Sequence, residues 1–248
     1  MITKIRQNKE LIDFLKKDEY INLNVLGCLK HNTDTDFYIY NSDLTNGVIV
    51  CNERRYLCFL CTNNADFMNE LCDMLPVNYM NFSGVPDAIA NIFVEDKEVV
   101  WENLCKTYVL KGDFALPSNL EYEGDTLNLE DADIVNDHYT FKSDDSIYGI
   151  KDDIIHRDSS CVRINGELAS WCLIHGDDDS LGPIYTKETY RKLGLGEEVT
   201  YRLMEKQLSK GNRPYVQILR DNLPALNFVN KIKGMEFSHD CIWFGVEK

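Results

Sequence analysis

The chain has 248 residues, 44% of them hydrophobic and 27% charged, with a formal net charge of −15. This composition supports a buried core and excludes long disordered tracts. No apolar run approaches the roughly 18 residues of a membrane-spanning helix, and so acidic a surface repels nucleic acid and anionic membranes. The length suits one large domain or two lobes of ordinary size.

The opening segment, Met1 to Arg6, leads into Asn8 to Leu15; the whole start has mixed charge and helical apolar spacing, unlike a secretory signal or an acid-poor transit peptide. Apolar spacing predicts a first helix over Asn8 to Lys17, then strands at Asn22 to Gly27, Phe37 to Tyr40, Gly47 to Cys51 and Tyr56 to Cys61. A helix follows over Asp66 to Leu75, where Phe67, Leu71, Met74 and Leu75 recur at helical intervals. Asn78 to Phe82 reads as a strand, Pro86 to Phe93 as a short helix and Thr107 to Leu110 as a strand. Lys111 to Asp125, with Gly112, Pro117 and Gly124 among polar residues, reads as a linker. It divides the chain into an N-terminal lobe, 1–117, and a C-terminal domain, 118–248.

The C-terminal part opens with helices near Leu129 to Tyr139 and Asp145 to His156. Strands Ser160 to Ile164 and Leu168 to His175 flank Asn165-Gly166, a two-residue hairpin signal because both positions accept positive φ. An acidic turn, Gly176 to Asp179, reverses the chain into a third strand, Leu181 to Thr186. Next comes Arg191-Lys192-Leu193-Gly194-Leu195-Gly196, an Arg-x-x-Gly-x-Gly pattern opening an amphipathic helix over Leu195 to Leu208. Glycines let backbone amides approach a pyrophosphate, the helix start adds orphan N–H groups and positive dipole, and a guanidinium fork suits phosphate. A strand over Pro214 to Arg220 follows. Asn222 then caps a helix with Pro224 in its first turn; the helix runs to about Ile232, Gly234 stops it, and a final strand covers Glu236 to Val246.

Nine cysteines are scattered, mostly among apolar residues, as small core groups of a reducing, cytoplasmic compartment, with a mitochondrial one the second choice. They do not cluster with the five histidines, so no metal site is expected.

The succession strand, Arg-x-x-Gly-x-Gly, helix, strand, Asn-x-x-Ala, helix, Gly, strand resembles the GNAT superfamily of acyl-CoA-dependent N-acyltransferases. Ser170-Trp171 on a strand and Thr186-Lys187-Glu188-Thr189-Tyr190-Arg191-Lys192-Leu193-Gly194 bring it closer to the glycine N-acyltransferase-like branch. The resemblance spans about Asp131 to Phe244. It implies an α/β fold with a C-terminal GNAT lobe, a divergent N-terminal GNAT-like lobe and one cofactor site per chain.

By that resemblance, Arg191, Lys192, Leu193, Gly194, Leu195 and Gly196 hold the pyrophosphate of acyl-CoA or acetyl-CoA. Ile184, Tyr185 and Thr186 pair with the pantetheine arm, and Asn222 and Phe228 lie near the cofactor. Arg202 is a further phosphate cation. Glu197 and Glu198 oppose phosphate unless they turn outward. A general base is expected in the acidic turn, Asp179 ahead of Asp178, with a water, His175 or a solvated structural turn as alternatives. Relatives place a Tyr where this chain has Val229, so protonation of the thiolate falls to another group, Tyr185 or Tyr190 among them.

The implied function is transfer of an acyl group, such as acetyl, from CoA to a primary amine by direct attack in a ternary complex. Glycine or another small amino acid is the acceptor the branch implies. The chain acts as a monomer or homodimer without nucleic acid or membrane. A catalytically weak GNAT-fold module that binds CoA or protein is the alternative.

Overall fold

A computed structural model describes residues 1–31, 36–40, 43–52, 57–61, 64–74, 79–94 and 97–247. Its strands are β1 (Ile2–Arg6), β2 (Asp36–Tyr40), β3 (Asp43–Asn52), β4 (Leu57–Leu60), β5 (Tyr79–Pro86), β6 (Glu98–Leu110), β7 (Ser159–Ile164), β8 (Glu167–Ile174), β9 (Leu181–Thr186), β10 (Tyr215–Leu219) and β11 (Met235–Glu247). Its α-helices are α1 (Lys9–Leu15), α2 (Leu23–His31), α3 (Ala65–Met74), α4 (Asp87–Val94), α5 (Ala132–Asp137), α6 (Ser146–His156), α7 (Leu195–Ser209) and α8 (Leu223–Val229). One sheet runs β1-β2-β3-β4-β5-β11-β6-β10 and a second runs β7-β8-β9. The mixed α/β architecture is the one the sequence predicts.

The chain forms two compact units: Met1–Tyr108 with Gln217–Leu226 and Phe237–Lys248, and Val109–Val216 with Asn227–Glu236. The C-terminal return to the first unit is made by β11, which pairs antiparallel with β5, Cys241 opposite Pro86 and Val246 opposite Met80. The aromatic residues of that pairing explain its stability: Phe82 stacks on Phe244 at 4.8 Å between ring centroids and meets Phe93 edge-on. A second core in the same unit gathers Leu11, Leu15, Val25, Leu29, Phe37, Val48 and Phe59.

Three predicted elements change. Asn22 to Gly27 is not a strand: Leu23, Val25, Cys28 and Leu29 are buried along α2. The stretch before Asn8 is β1, whose Ile2 opposes Tyr40 of β2. Finally, β6 begins at Glu98, well before Thr107; its first half alternates exposed and half-buried residues, whereas its last four residues are all buried. Tyr56, Leu75 and Asn78, placed in elements by the sequence, lie outside the described residues.

In the second unit, Leu127, Val135, Ile150, Ile154, Leu168, Trp171 and Leu173 make a core between β7-β8 and the α5–α6 pair. The Asn165-Gly166 turn has φ of 53° and 81°, the double positive φ that the sequence predicts.

Gly84 of β5 also takes positive φ (+57°), and a Cβ there would strike the Gln217 side chain that accepts a hydrogen bond from Trp243 Nε1. Gly84→Ala should therefore lose about 1–3 kcal/mol, the ordinary cost of such strain. Chemical denaturation checks this, with Gly166→Ala, whose Cβ enters open space, isolating the contribution of φ.

Candidate active site

The Arg-x-x-Gly-x-Gly loop is built by two left-handed residues, Lys192 at φ +67° and Gly194 at φ +78°. Gly194 is the N-cap of α7, and no side chain among the described residues caps that start. The first amides of the helix, at Leu195, Gly196 and Glu197, have no intrahelical acceptor by geometry. A Cβ at Gly194 meets nothing within 4 Å, so the space beside this residue is open. At Gly196 a Cβ would lie 3.3 Å from both the Phe228 ring and Thr186 Oγ1. Gly196 thus lets the helix start, the end of β9 and Phe228 come together.

Below the loop, α7 is anchored by Leu195, Val199, Leu203 and Met204, all buried. Arg191 is exposed. It folds toward β9, its Nε donating to Thr186 O at 3.3 Å and its guanidinium lying 5.8 Å from the centre of the Tyr185 ring. Lys192 and Leu193 are exposed beside it.

On β9, Ile184, Tyr185 and Thr186 are each half-buried, and β9 ends the three-stranded sheet. Its inner edge pairs with β8, Ser170 opposite Thr186 and Trp171 opposite Tyr185. Ser170 Oγ donates to Tyr185 O at 3.0 Å and lies 2.8 Å from Thr186 Oγ1. Trp171 is fully buried on the other face, where Tyr185 stacks against His138 with ring centroids 4.2 Å apart. Ser170-Trp171 is therefore packing and strand registry.

Of the two orientations open to Glu198, the structure has the inward one: its side chain is 5% exposed and accepts from Arg202 Nη2 at 2.8 Å and Tyr122 N at 2.9 Å. Arg202, named as a further phosphate cation, has its Nη2 engaged by Glu198 and also donating to Tyr122 O. Tyr190 donates its phenol to Glu167 at 2.8 Å, which pushes its pKa up and makes it a poorer acid. Val229 is buried. Asn222 caps α8 as predicted, its Oδ1 accepting from Ala225 N at 3.2 Å; it belongs to the first unit.

The acidic turn separates its two candidate carboxylates. Asp179 is half-buried with φ of +65°, its N–H donating to His175 O at 3.0 Å. Asp178 is fully buried: Oδ1 accepts from Ser180 N (3.0 Å) and Ser180 Oγ (2.8 Å), and Oδ2 has no partner among the described residues. The backbone oxygen of Asp178 accepts from the Tyr215 phenol at 2.6 Å, which ties the turn to β10. Among the described residues no group of His, Cys, Asp and Glu is arranged to hold a metal ion, and no helix is long and apolar enough to cross a membrane.

Comparison with known proteins agrees with this geometry. The family model described as FR47-like protein matches residues 161–244, the stretch from β7 to β11 that contains the loop. No curated protein matches in sequence. A solved Drosophila protein is similar over 99% of this chain and 98% of its own, at 16% identity and a TM-score of 0.75. An acetyltransferase of the GNAT family from Colwellia psychrerythraea is similar over the full length of both chains, at 13% identity and a TM-score of 0.56. A tandem GNAT protein from the clavulanic acid biosynthesis pathway covers 100% of this chain and 98% of its own, at 13% identity and a TM-score of 0.53. At these identities the likeness shows the fold alone, and that fold is the GNAT fold.

Burial of Asp178 makes stability depend on pH. Desolvation raises its pKa above the ordinary 3.8, with His175 opposing and Asp177 adding to the shift. The folded state thus binds this proton more tightly than the unfolded state. The resulting penalty is absent below about pH 3.8, grows as pH rises and is complete above the raised folded pKa. Asp178→Asn removes it, so the Tm of the variant should gain on wild type as pH rises from 4 to about 7. A Tm difference that stays constant over that range would mean Asp178 is not buried as described.

Proposed function

We propose that this chain is an acyl-CoA-dependent N-acyltransferase. It moves an acyl group, acetyl in the simplest case, from CoA to a primary amine by direct attack in a ternary complex. The observation that carries the reading is the uncapped start of α7 behind two left-handed residues, with Lys192 and Arg191 beside it. Such a start binds phosphate through backbone amides and helix dipole. The family match over 161–244 and the shared fold support it.

The amides of Lys192 to Gly196 hold the pyrophosphate. The backbone of Ile184 to Thr186, on the outer edge of β9, pairs with the amides of the pantetheine arm, and Phe228 closes the corner formed with Gly196 and Thr186. The free amine attacks the thioester carbonyl, the C–S bond breaks and the thiolate leaves. Asp179 takes the amine proton; of the two candidate carboxylates it is the half-buried one, whereas Asp178 is fully buried. The acceptor is a small-molecule amine, glycine or a small amino acid being our choice. The buried free thiols fit a reducing, cytoplasmic setting.

Buried Val229 and the engagement of Tyr190 by Glu167 favour a second reading, a CoA-binding module with little turnover. Calorimetry with CoA, followed by a thiol-release screen of acyl-CoAs against amino acids and amines, separates the two. Binding with thiol release supports the enzyme, and binding without it the module.

Gly194→Asp places a carboxylate in the open space beside that residue and should weaken acyl-CoA binding by about ten- to a hundredfold, the worth of one charge-assisted contact. Gly112→Asp has similar strain (φ +73°) and open space, and should leave binding unchanged. Equal affinity in both variants contradicts the loop assignment. Asp179→Asn should leave binding intact and lower turnover about 10²–10⁴-fold, with partial recovery at higher pH as free amine increases. Retention of more than about a third of wild-type turnover, against that expected loss, would make the acidic turn purely structural.

A further inference from the structure

The two acidic residues after the loop run against phosphate binding, yet one of them is held inside the protein. Glu198 and Arg202, one helical turn apart on α7, grip the backbone of residues 121–124, within the same unit. Tyr122 N donates to Glu198 Oε1 at 2.9 Å and Glu121 N to Oε2 at 3.3 Å. Arg202 Nη2 donates both to Glu198 Oε1 and to Tyr122 O. The pair therefore satisfies the N–H and the C=O of Tyr122 together, as a neighbouring strand would, although residues 121–124 have no regular secondary structure. Gly124 permits the approach: a Cβ there would lie 2.5 Å from Arg202 Cδ. Burial of Glu198 beside its partners costs less than burial alone, and loss of either partner leaves a charge unpaired.

We propose that Glu198 is a positioning residue for the pyrophosphate loop, a pin that fixes the first turn of α7 to residues 121–124 and so preorganises the amides of Lys192 to Gly196. The proposal rests on the reading of that loop as the acyl-CoA site. Coupling of this kind is reciprocal: ligand bound at the helix start holds the pin closed, and a closed pin favours the ligand. It also explains why a negative charge is kept so near a phosphate site. Coulomb's law alone says that neutralising Glu198 tightens phosphate binding. A positioning role says the reverse.

The test uses Glu198→Gln, which removes the charge, and Gly124→Ala, which disturbs the pin from the other side without changing charge or touching the loop. CoA affinity is measured by calorimetry and backbone amide exchange by mass spectrometry or NMR. Both variants should bind CoA about fivefold or more weakly, at the lower end of ordinary coupling between sites, and the double variant little worse than either. Without ligand, both should exchange faster at Leu195 to Glu197; in wild type, CoA should slow exchange at Tyr122. If folded Glu198→Gln binds CoA as well as or better than wild type, the proposal is overturned, and so it is if exchange at Leu195 to Glu197 is unchanged. Should Glu198→Gln not fold, Gly124→Ala and the wild-type response at Tyr122 decide. A wild-type chain that binds no CoA overturns the loop assignment, while the ligand-free exchange rates still judge the pin separately.

Discussion

An α-helix must leave its first amides without intrahelical acceptors, and the second unit is arranged around how α7 meets that constraint. Most helices satisfy those groups with a side-chain cap. Here the cap position is Gly194, in left-handed backbone, and no described side chain serves. The cost is tolerable only where the amides face water or an anion. The surrounding features follow from keeping them open and fixed. Leu195, Val199 and Leu203 bury one side of the helix, Gly196 admits Thr186 and Phe228, and Glu198 with Arg202 ties the first turn to the backbone at Tyr122.

Local signals were read well from the sequence. The Asn165-Gly166 hairpin, the three strands around it, the start of α7 and the Asn222 cap all depend on residues close in the chain, so spacing and turn chemistry reveal them. Non-local features were not. β1 is only five residues long, and pairing with β2 makes it a strand. The first half of β6 alternates exposed and half-buried residues, and its one short apolar run, Val99 to Trp101, does not mark a strand by itself. In α2, a dense cluster of apolar residues fits either period until packing shows which face is buried. The return of the C-terminus to β5 depends on a register that no local pattern encodes.

The candidate site divides in the same way. The left-handed Gly194 and the helix start at Leu195 were legible because they depend on contiguous residues. The fates of Glu198, Arg202 and Tyr190 were not, because each is decided by a partner distant in sequence, at Tyr122 or Glu167. The net charge of −15 also misleads if read as uniform. Several acidic groups are committed inside the second unit, Glu198 to the pin and Asp178 to Ser180, while the cationic Arg191 and Lys192 stay exposed beside the loop.

The most direct measurement of the central claim is a residue-resolved NMR titration of the protein with CoA. The account predicts saturable shifts of the backbone amides from Lys192 to Glu197, with those of the Asn165-Gly166 hairpin unmoved. Saturable shifts confined to other parts of the chain, or none at CoA concentrations that saturate ordinary acyltransferases, would contradict it.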